Sequence, residues 1–435
     1  MSDLLNIGAS SVRAYSKALQ TVGDNISNAN TKGYVRRDIN LTEMPSGANS
    51  LLYTGTVLPN GVRVTGVTRA TDQWLVADAR TAGSESGRSS AKLAPLQATE
   101  RALDDGGSGV GKALTAAFNA ADSLAADPTN TTLRQSFLST IGDVATTFGR
   151  TAASLDQVSA GIGQTASIGV DAVNADVTAL SRVNDGLLRA REGSTNQAGL
   201  LDERDKLLDR ISATLPVTIT FDAKGATTLK AGSDTLLGGA TRTTITVAQS
   251  TDGTLSYGGV AISGGSLGGL AEAATHVRDQ RGALDALASQ VATQFNTTHA
   301  AGQDSSGTAG GALFTGTTAA SLTAAITDPA KVAAATSTSS NGNALAFATL
   351  RGSTGSEAGF TALVASQSQT VAGVTAQDAA ATARLTGACS ARDDLSAVDL
   401  DKEAGDLVRY QQAYDAAARI LQVARETMQS IFDAI

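Results

Sequence analysis

The sequence predicts a mainly α protein with a small β domain, built as a long coiled-coil-like helical bundle with paired N- and C-terminal helices. Three patterns support this prediction. Apolar residues recur every seven positions at both chain ends, a helical stripe fills residues 131–190, and alternation with a period of two is confined to residues 216–263. A repeat of seven is typical of coiled-coil seams, whereas a repeat of two is typical of strands.

The N-terminal segment has the heptad pattern of a helix with one apolar seam. Its seam positions are Leu5, Val12, Tyr15, Leu19, Val22 and Ile26. The pattern ends in an Asn-rich stretch, residues 25–34, where Asn side chains bond to nearby backbone and Gly33 tolerates a positive φ. We therefore predict a helix stop at this stretch, followed by an extended segment.

Residues 397–435 repeat the pattern of the first segment. Their seam positions are Leu400, Leu407, Tyr410, Tyr414, Leu421, Met428, Ile431 and Ile435. A helix of this length extends about 58 Å. Because the most regular heptads lie at the two chain ends, we predict that these seams pair with each other or with neighbouring copies and form an assembly interface. A seam that only joins two helices of one chain is the alternative.

The sequence as a whole predicts five regions. Residues 1–60 form the N-terminal helix and an extended segment, and residues 61–215 form the first part of a helical bundle, including one very long helix over 131–190. Residues 216–263 form a small β domain with a hairpin turn at Asp252 and Gly253. Residues 264–385 form the second part of the bundle, with a low-signal insert at 301–354, and residues 386–435 form the C-terminal helix.

Composition excludes several classes of function. The chain has 33 basic and 41 acidic residues, and the resulting net charge of −8 argues against a nucleic-acid or anionic-membrane partner. Cys389 is the only cysteine and His276 and His299 are the only histidines, so we expect no disulfide and no Cys- or His-based metal site. Because only 4% of the residues are aromatic, we expect the helices to pack through thin contacts of Ala and Leu rather than around one large globular core.

Two glycine-rich motifs resemble catalytic signatures but lack essential parts. Residues 106–113 nearly match a phosphate-binding loop, yet Ala113 stands where a Ser or Thr would bind magnesium, and no strand precedes the motif. Residues 264–268 match G-x-S-x-G, but the possible partners Asp285 and His299 lie on or at the end of a predicted helix. We interpret both motifs as loops that lead into helices.

The remaining candidate side chains are predicted to be ordinary helix residues. The charged run at residues 202–205 is typical of a solvated helix face, with pairs such as Asp202 and Lys206. Cys389 has no neighbour that would activate it, and we expect His276 and His299 to be exposed. We therefore predict that the chain is not an enzyme and needs no cofactor or metal.

Both chain ends resemble the rod, hook and hook-associated protein family of the bacterial flagellum. The motif residues are Asn25, Asn28, Asn30, Thr31, Gly33 and Tyr34 near the N-terminus, with residues 398–403, Gln411 and Gln412 near the C-terminus. Four interior stretches narrow the resemblance to the hook-associated proteins: residues 199–208, 268–270, 294–299 and 328–331. The resemblance covers nearly the whole chain, and the short β segment implies a reduced outer domain.

The resemblance implies a structural subunit that assembles at the hook tip and joins hook to filament. Both terminal helices would form the inner coiled-coil layer, with residues 216–263 facing outward. The implied partners are further copies in a ring, the hook protein, hook-associated protein 3 and an export chaperone on the C-terminal helix. Export to the extracellular flagellum would need no cleaved signal peptide, and the opening residues show no such signal. The alternatives are another axial protein, namely hook-associated protein 3 or the hook protein, or a secreted adhesin.

Overall fold

The computed structural model describes residues 2–45, 59–104, 106–239, 241–258, 260 and 262–433. Long helices and short antiparallel strands make up this part of the chain, which confirms the predicted fold class. The helices are α1 (Ser2–Asn28), α2 (Gln73–Ala102), α3 (Val110–Ala126), α4 (Thr131–Arg189), α5 (Thr195–Thr214), α6 (Gly265–Ala300), α7 (Gly342–Ala346), α8 (Ser356–Ser396) and α9 (Leu400–Phe432).

Two strands near the N-terminus have 9 and 11 residues, the other described strands have 5 or fewer, and each pairs with a neighbour in the sequence. They are β1 (Arg37–Pro45), β2 (Pro59–Arg69), β3 (Thr218–Phe221), β4 (Thr227–Ala231), β5 (Asp234–Gly238), β6 (Thr241–Arg242), β7 (Val247–Gln249), β8 (Leu255–Tyr257), β9 (Phe314–Thr315) and β10 (Thr323–Ala324). The strands β1 and β2 form one antiparallel hairpin, β3 to β6 form a four-stranded sheet, and the last four strands form two further hairpins. The hairpin turn predicted at Asp252 and Gly253 lies between β7 and β8, and Gly253 has a φ of +89° there.

The chain divides into two compact units, each described by itself. Unit 1 contains residues 1–83, 173–244 and 383–435, and unit 2 contains residues 84–172 and 245–382. The four-stranded sheet belongs to unit 1, whereas the β7–β8 hairpin belongs to unit 2. Residues 216–263, which we predict as one β domain, therefore contribute to both units.

In unit 1 the two terminal helices lie antiparallel, because Gly8 contacts Leu421 at one end of the pair and Asn25 contacts Glu403 at the other. The β1–β2 hairpin packs beside α1, and the Val62 N–H donates to Ser10 Oγ at 3.3 Å. Both chain ends thus meet within one copy of the protein.

Unit 2 has a core rich in phenylalanine, so the expectation of thin contacts built from Ala and Leu is wrong for this unit. Seven of the nine phenylalanines lie in one buried cluster. The ring centroids of Phe118 and Phe295 are 5.3 Å apart, and those of Phe137 and Phe347 are 5.4 Å apart. The helix α4 supplies Phe137 and Phe148 at the predicted spacing, and its observed bounds confirm the very long helix predicted over 131–190.

Polar side chains on α6 hold the low-signal segment 301–354 in place. Asn296 Oδ1 accepts from the Leu313 and Phe314 N–H groups at 2.7 and 2.8 Å. His299 is fully buried, with Nδ1 2.6 Å from the Gly311 carbonyl oxygen and Nε2 accepting from the Ala333 N–H at 2.8 Å. Backbone bonds to these side chains fix the segment, which also contributes Leu313, Phe314, Leu322 and Val332 to the buried core.

The prediction that both histidines are exposed is wrong. His299 is enclosed by the segment that it anchors, and His276 is half-buried with Nε2 2.7 Å from Gln367 Oε1. The physical reason is that α6 is covered on several sides, so that even its polar positions face neighbouring backbone or side chains.

We expect the burial of His299 to make the stability of the protein depend on pH. Burial lowers its pKa, and the Gly311 carbonyl offsets only part of this effect. Below about pH 6.5 the unfolded chain binds a proton here that the folded chain does not bind, so stability falls as the pH falls. We expect the free energy of unfolding in urea to fall more steeply between about pH 8 and pH 5 for the wild type than for His299→Gln. The control variant His276→Gln should keep the steep dependence, and equal slopes for the wild type and His299→Gln would contradict this account.

Candidate assembly interface

The α1–α9 pair is built around small residues. A Cβ atom added at Gly8 would lie 3.0 Å from Leu421 Cγ, so the two backbones approach closely at this point. The most buried apolar positions of the pair are Ala14, Ala18, Val22, Ala417 and Ala424. Larger side chains lie beside this contact, and the rings of Tyr15 and Tyr410 are 6.4 Å apart. The pair is therefore a close helix contact that leaves much large apolar surface free.

The predicted seam positions differ in how far the structure buries them. On α1, Val22 is buried and the half-buried positions are Leu5, Val12, Tyr15, Leu19 and Ile26. On α9 the half-buried positions are Leu407, Tyr410, Tyr414 and Leu421. Leu400, Met428 and Ile431 are exposed, and Ile435 lies outside the described residues. Within one copy, the seams of α1 and α9 contact each other along one side only. Contacts of these seams with other copies remain a prediction.

The outer face of α9 carries further apolar residues that the pair does not cover. Val408, Ile420 and Val423 are exposed, Val423 to 60% of its surface. Scattered exposed apolar residues are ordinary, but a row of them along one helix is typical of a contact surface. The periodic pattern in the sequence did not single out these three residues, because they lie beside the heptad positions.

Asn25 explains part of the Asn-rich motif. Its side chain is buried and makes four hydrogen bonds that join three elements. The Oδ1 atom accepts from Tyr34 Oη at 2.8 Å and from the Arg37 N–H at 3.1 Å, and Nδ2 donates to the Arg37 carbonyl at 2.9 Å and to Glu403 Oε2 at 3.0 Å. The end of α1, the start of β1 and the first turn of α9 are thus fixed by one amide.

Burial changes the titration of the groups around Asn25. It raises the pKa of Tyr34 to about 12, and it raises the pKa of Glu403 although the Asn25 amide opposes this. Glu403 was not among the predicted site residues. Its position in the motif at residues 398–403 was the only available signal, since a partner 378 positions away cannot be inferred from spacing.

The rest of the motif divides into shaping residues and outward-facing residues. Asn28 is half-buried and donates to the Asp24 carbonyl, and Thr31 Oγ1 donates to Asn28 Oδ1. Asn30, Thr31 and Gly33 are exposed. Gln411 and Gln412 are also exposed on α9.

Gly33 adopts the left-handed backbone that the sequence predicts, with a φ of +75°. A Cβ atom here would also lie 2.6 Å from Lys206 Cε, although that side chain can move. We expect Gly33→Val to lower the free energy of unfolding by about 1–2 kcal/mol. The control Gly23→Ala, in the open interior of α1, should raise stability by about 0.5–1 kcal/mol. Urea unfolding followed by circular dichroism tests both changes, and wild-type stability of Gly33→Val would contradict the prediction.

The charged run at residues 202–205 is not a solvated helix face, and the earlier interpretation is wrong. Asp202 and Arg204 are buried, and only Glu203 of this run is exposed. Asp202 pairs with Arg37 and Arg69, each at 2.8 Å, rather than with Lys206. The reason is that one face of α5 packs toward the β1–β2 hairpin, so its carboxylates meet arginines from distant parts of the chain.

These residues belong to an arginine–aspartate cluster within unit 1. Its members are Arg37, Arg69, Arg80, Arg204 and Arg392 with Asp202, Asp205 and Asp209. The cluster ties the β1–β2 hairpin, α2, α5 and α8 together. The cluster therefore fixes the elements that lie next to the α1–α9 pair.

Burial and pairing act in opposite directions on the acids of the cluster. Burial raises the pKa of Asp202, and its two arginine partners offset only part of this. Burial also acts to raise the pKa of Asp205, but Arg204, Arg69 and Arg80 together hold it below its usual range.

The two glycine-rich motifs lie at helix starts. Residues 106–109 follow the helix α2, not a strand, and residues 110–113 form the first turn of α3. Ser266 lies in the first turn of α6, on the same helix as Asp285 and His299, which are about 28 and 50 Å further along its axis. Cys389 is half-buried in α8, where it packs beside Ala79, Ala82 and Ala388. Within the described ranges, no helix has the length and apolar content needed to cross a membrane.

Comparison with known proteins places these features in a family. Residues 96–314 match the model of the "Flagellar hook-associated protein FlgK helical domain", and residues 394–434 match the "Flagellar basal body rod FlgEFG protein C-terminal" model. The first match covers just over half of the chain.

Curated relatives and one solved structure are also similar. The chain is 27% identical to flagellar hook-associated protein 1 of Escherichia coli over 72% of the chain and 60% of that protein. It is 25% identical to the Bacillus subtilis protein of the same name over 97% of the chain and 96% of that protein. The flagellar hook junction protein FlgK of Burkholderia pseudomallei has a TM-score of 0.48 and 20% identity, covering 55% of this chain and 46% of that chain.

The chain spans about three fifths of the length of the Escherichia coli and Salmonella relatives. The C-terminal motif at residues 398–403 and three of the interior stretches, residues 199–208, 268–270 and 294–299, lie within the ranges that the two family models match. Since the helical-domain model covers half of the sequence, the chain belongs to the family of the flagellar hook-associated protein FlgK, which is hook-associated protein 1.

Proposed function

We propose that this flagellar hook-associated structural protein forms the junction between hook and filament, and that α1 and α9 build the junction by packing between copies. The observation that carries this proposal is the α1–α9 pair, which meets through small residues and leaves large apolar side chains exposed. Burying a Leu or Ile contributes about 1.5–3 kcal/mol, so neighbouring copies that cover Leu400, Ile420 and Ile431 would gain substantial free energy.

The partners follow from the same proposal. Copies of the chain would form a ring at the hook tip, with the hook protein on one side and hook-associated protein 3 on the other. An export chaperone would cover the C-terminal helix before extracellular assembly, because its apolar surface must stay shielded while the subunit awaits export without a cleaved signal. The matches to hook-associated protein 1 favour this role over the alternatives of hook-associated protein 3, the hook protein or an adhesin.

A non-enzymatic role is part of the proposal. The residues that could have formed a hydrolytic triad are spread along one helix, and the paired carboxylates of α5 are engaged by arginines. No nucleic-acid or membrane partner is proposed, in keeping with the acidic net charge.

Deletion of the gene tests the proposed junction role. The expected phenotype is intact hooks without filaments and filament subunits released into the medium, with both effects reversed by the full chain supplied from a plasmid. Antibody labelling should place the complementing protein directly on the hook tip, which separates it from hook-associated protein 3. Normal filaments in the deletion strain would overturn the proposal.

A further inference from the structure

A basic groove lies between α1 and the β1–β2 hairpin of unit 1. It has a volume of about 690 Å³, and its lining includes the cations Arg13, Lys17 and Arg63. The lining also includes the apolar side chains of Met44, Val62 and Val64, which we call its apolar floor. No Asp or Glu is among the described residues that line it. Arg13 Nε donates to the Ala9 carbonyl and Lys17 Nζ to Gln20 Oε1, so neither is neutralised by these bonds.

The three cations of the groove form no ion pair with any carboxylate in the described part of the chain. Residues 46–58, which connect β1 to β2, contain no acidic residue. A concave site with three cations and an apolar floor suits an acidic segment that also presents apolar side chains.

The chain itself contains such a segment at the corner between α8 and α9. Residues 393–401 include four aspartates and no basic residue, and they form what we call the acidic corner. Leu395 and Leu400 in this corner are 44% and 51% exposed. Asp399 caps α9 and Asp393 pairs with Arg392, whereas Asp394 and Asp401 are exposed and form no ion pair within the described ranges.

The groove and the corner of one copy lie at different places along α1. The groove is lined by α1 residues up to Lys17, whereas the corner meets the chain near the end of α1, where the Arg36 N–H donates to the Ser396 carbonyl. From Arg13 to Asn25, beside the corner, α1 extends about 18 Å. A groove and a ligand segment at separate places on one surface produce head-to-tail contacts, which form rings or helical arrays rather than two-fold dimers.

We infer that the acidic corner of one copy docks into the basic groove of the next copy. Asp394 and Asp401 would face Arg13, Lys17 and Arg63, while Leu395 and Leu400 would cover the apolar floor. This inference rests on the proposed ring at the hook tip and assigns the residues that join one subunit to the next. The partner is a second copy of this chain because the complementary charge and exposed leucines are both present in its own sequence.

Charge exchange tests the contact in a strain that lacks the chromosomal gene. Arg13→Glu with Lys17→Glu should reduce the number of filaments per hook about tenfold, as should Asp394→Lys with Asp401→Lys. All four changes in one chain should restore the number to within about twofold of the wild type, because the charges are complementary again. The control Lys230→Glu with Arg242→Glu, two exposed positions on the four-stranded sheet, should leave filaments unchanged.

The outcomes separate this inference from the proposed function. If the wild-type chain does not restore filaments, the junction role itself fails. If the wild type restores them but the fourfold variant does not, or neither double variant reduces them, the groove–corner contact fails alone. The purified chain that carries both Arg13→Glu and Lys17→Glu is also compared with the wild type in urea. If it is less stable, the groove makes a contact within one copy, and this result would also overturn the inference.

Cross-linking gives a second measurement that does not depend on filament counts. Arg13→Cys and Asp394→Cys are placed in separate chains that both carry Cys389→Ser, and the chains are expressed together. Oxidised hooks should then yield a species of twice the chain mass, which is absent when either chain is expressed alone. Absence of this species from hooks that carry both chains would contradict the contact.

Discussion

Replacing Asp202 with Ala is expected to lower the free energy of unfolding of unit 1 by about 3–5 kcal/mol. Its carboxylate accepts from Arg37 and Arg69 at 2.8 Å, and all three side chains are largely buried. Removing the acid leaves two guanidinium groups without this partner in a site that water does not reach freely. The energetic cost should be largest at Arg37, since its Nε atom is already buried without a hydrogen-bond partner in the described structure.

The neighbouring Glu203 provides a matched control for this prediction. It is an acid on the same helix, but it is exposed, so Glu203→Ala should change stability by no more than about 0.5 kcal/mol. Urea unfolding measures both variants, and hydrogen exchange should show the loss of protection in β1, β2 and α5 for Asp202→Ala alone. Equal stability of the two variants would mean that the arginine–aspartate cluster contributes nothing beyond a surface charge.

The helices whose apolar residues follow a regular spacing in the sequence were predicted well. The heptads at both chain ends predicted α1 and α9, and the spacing of Leu133, Phe137, Ile141 and Val144 predicted α4 almost to its observed bounds. Gly33 was expected to have a positive φ because Asn and Gly shape helix ends, and its φ is +75°. Patterns of this kind depend on neighbours within a few residues, so one sequence is enough to see them.

Contacts between distant residues were not predictable in the same way. Asp202 looks like a surface residue because its partners are 165 and 133 positions away. His299 looks exposed because the loop that encloses it has no periodic signal of its own. The close approach of Gly8 to Leu421 depends on small residues, whereas the heptad pattern emphasises large ones. For Asp202 and His299, the only signal in the sequence was that each lies in a stretch that resembles the family.

The junction should fail to assemble when Leu407 and Leu421 are both replaced by Arg. Both are half-buried in the α1–α9 pair, and Leu421 lies against Gly8, so that arginine would place a charge beside the closest contact of the two helices. Loss of two half-buried leucine contacts removes about 1.5–3 kcal/mol of burial per copy, before the cost of placing two cations in an apolar seam.

The expected result for this double variant is hooks without filaments, while the Phe-rich core of unit 2 stays folded. Hydrogen exchange on the purified chain should retain protection in α3, α6 and the first part of α4. The control changes Ile168 and Leu188 on α4 to Arg, since both are already exposed, to 63% and 48% of their surfaces, and filaments should form normally. If the Leu407→Arg and Leu421→Arg chain supports filaments as the control does, the terminal seams do not build the junction, because a contact that tolerates two cations at its centre cannot be the one that holds the copies together.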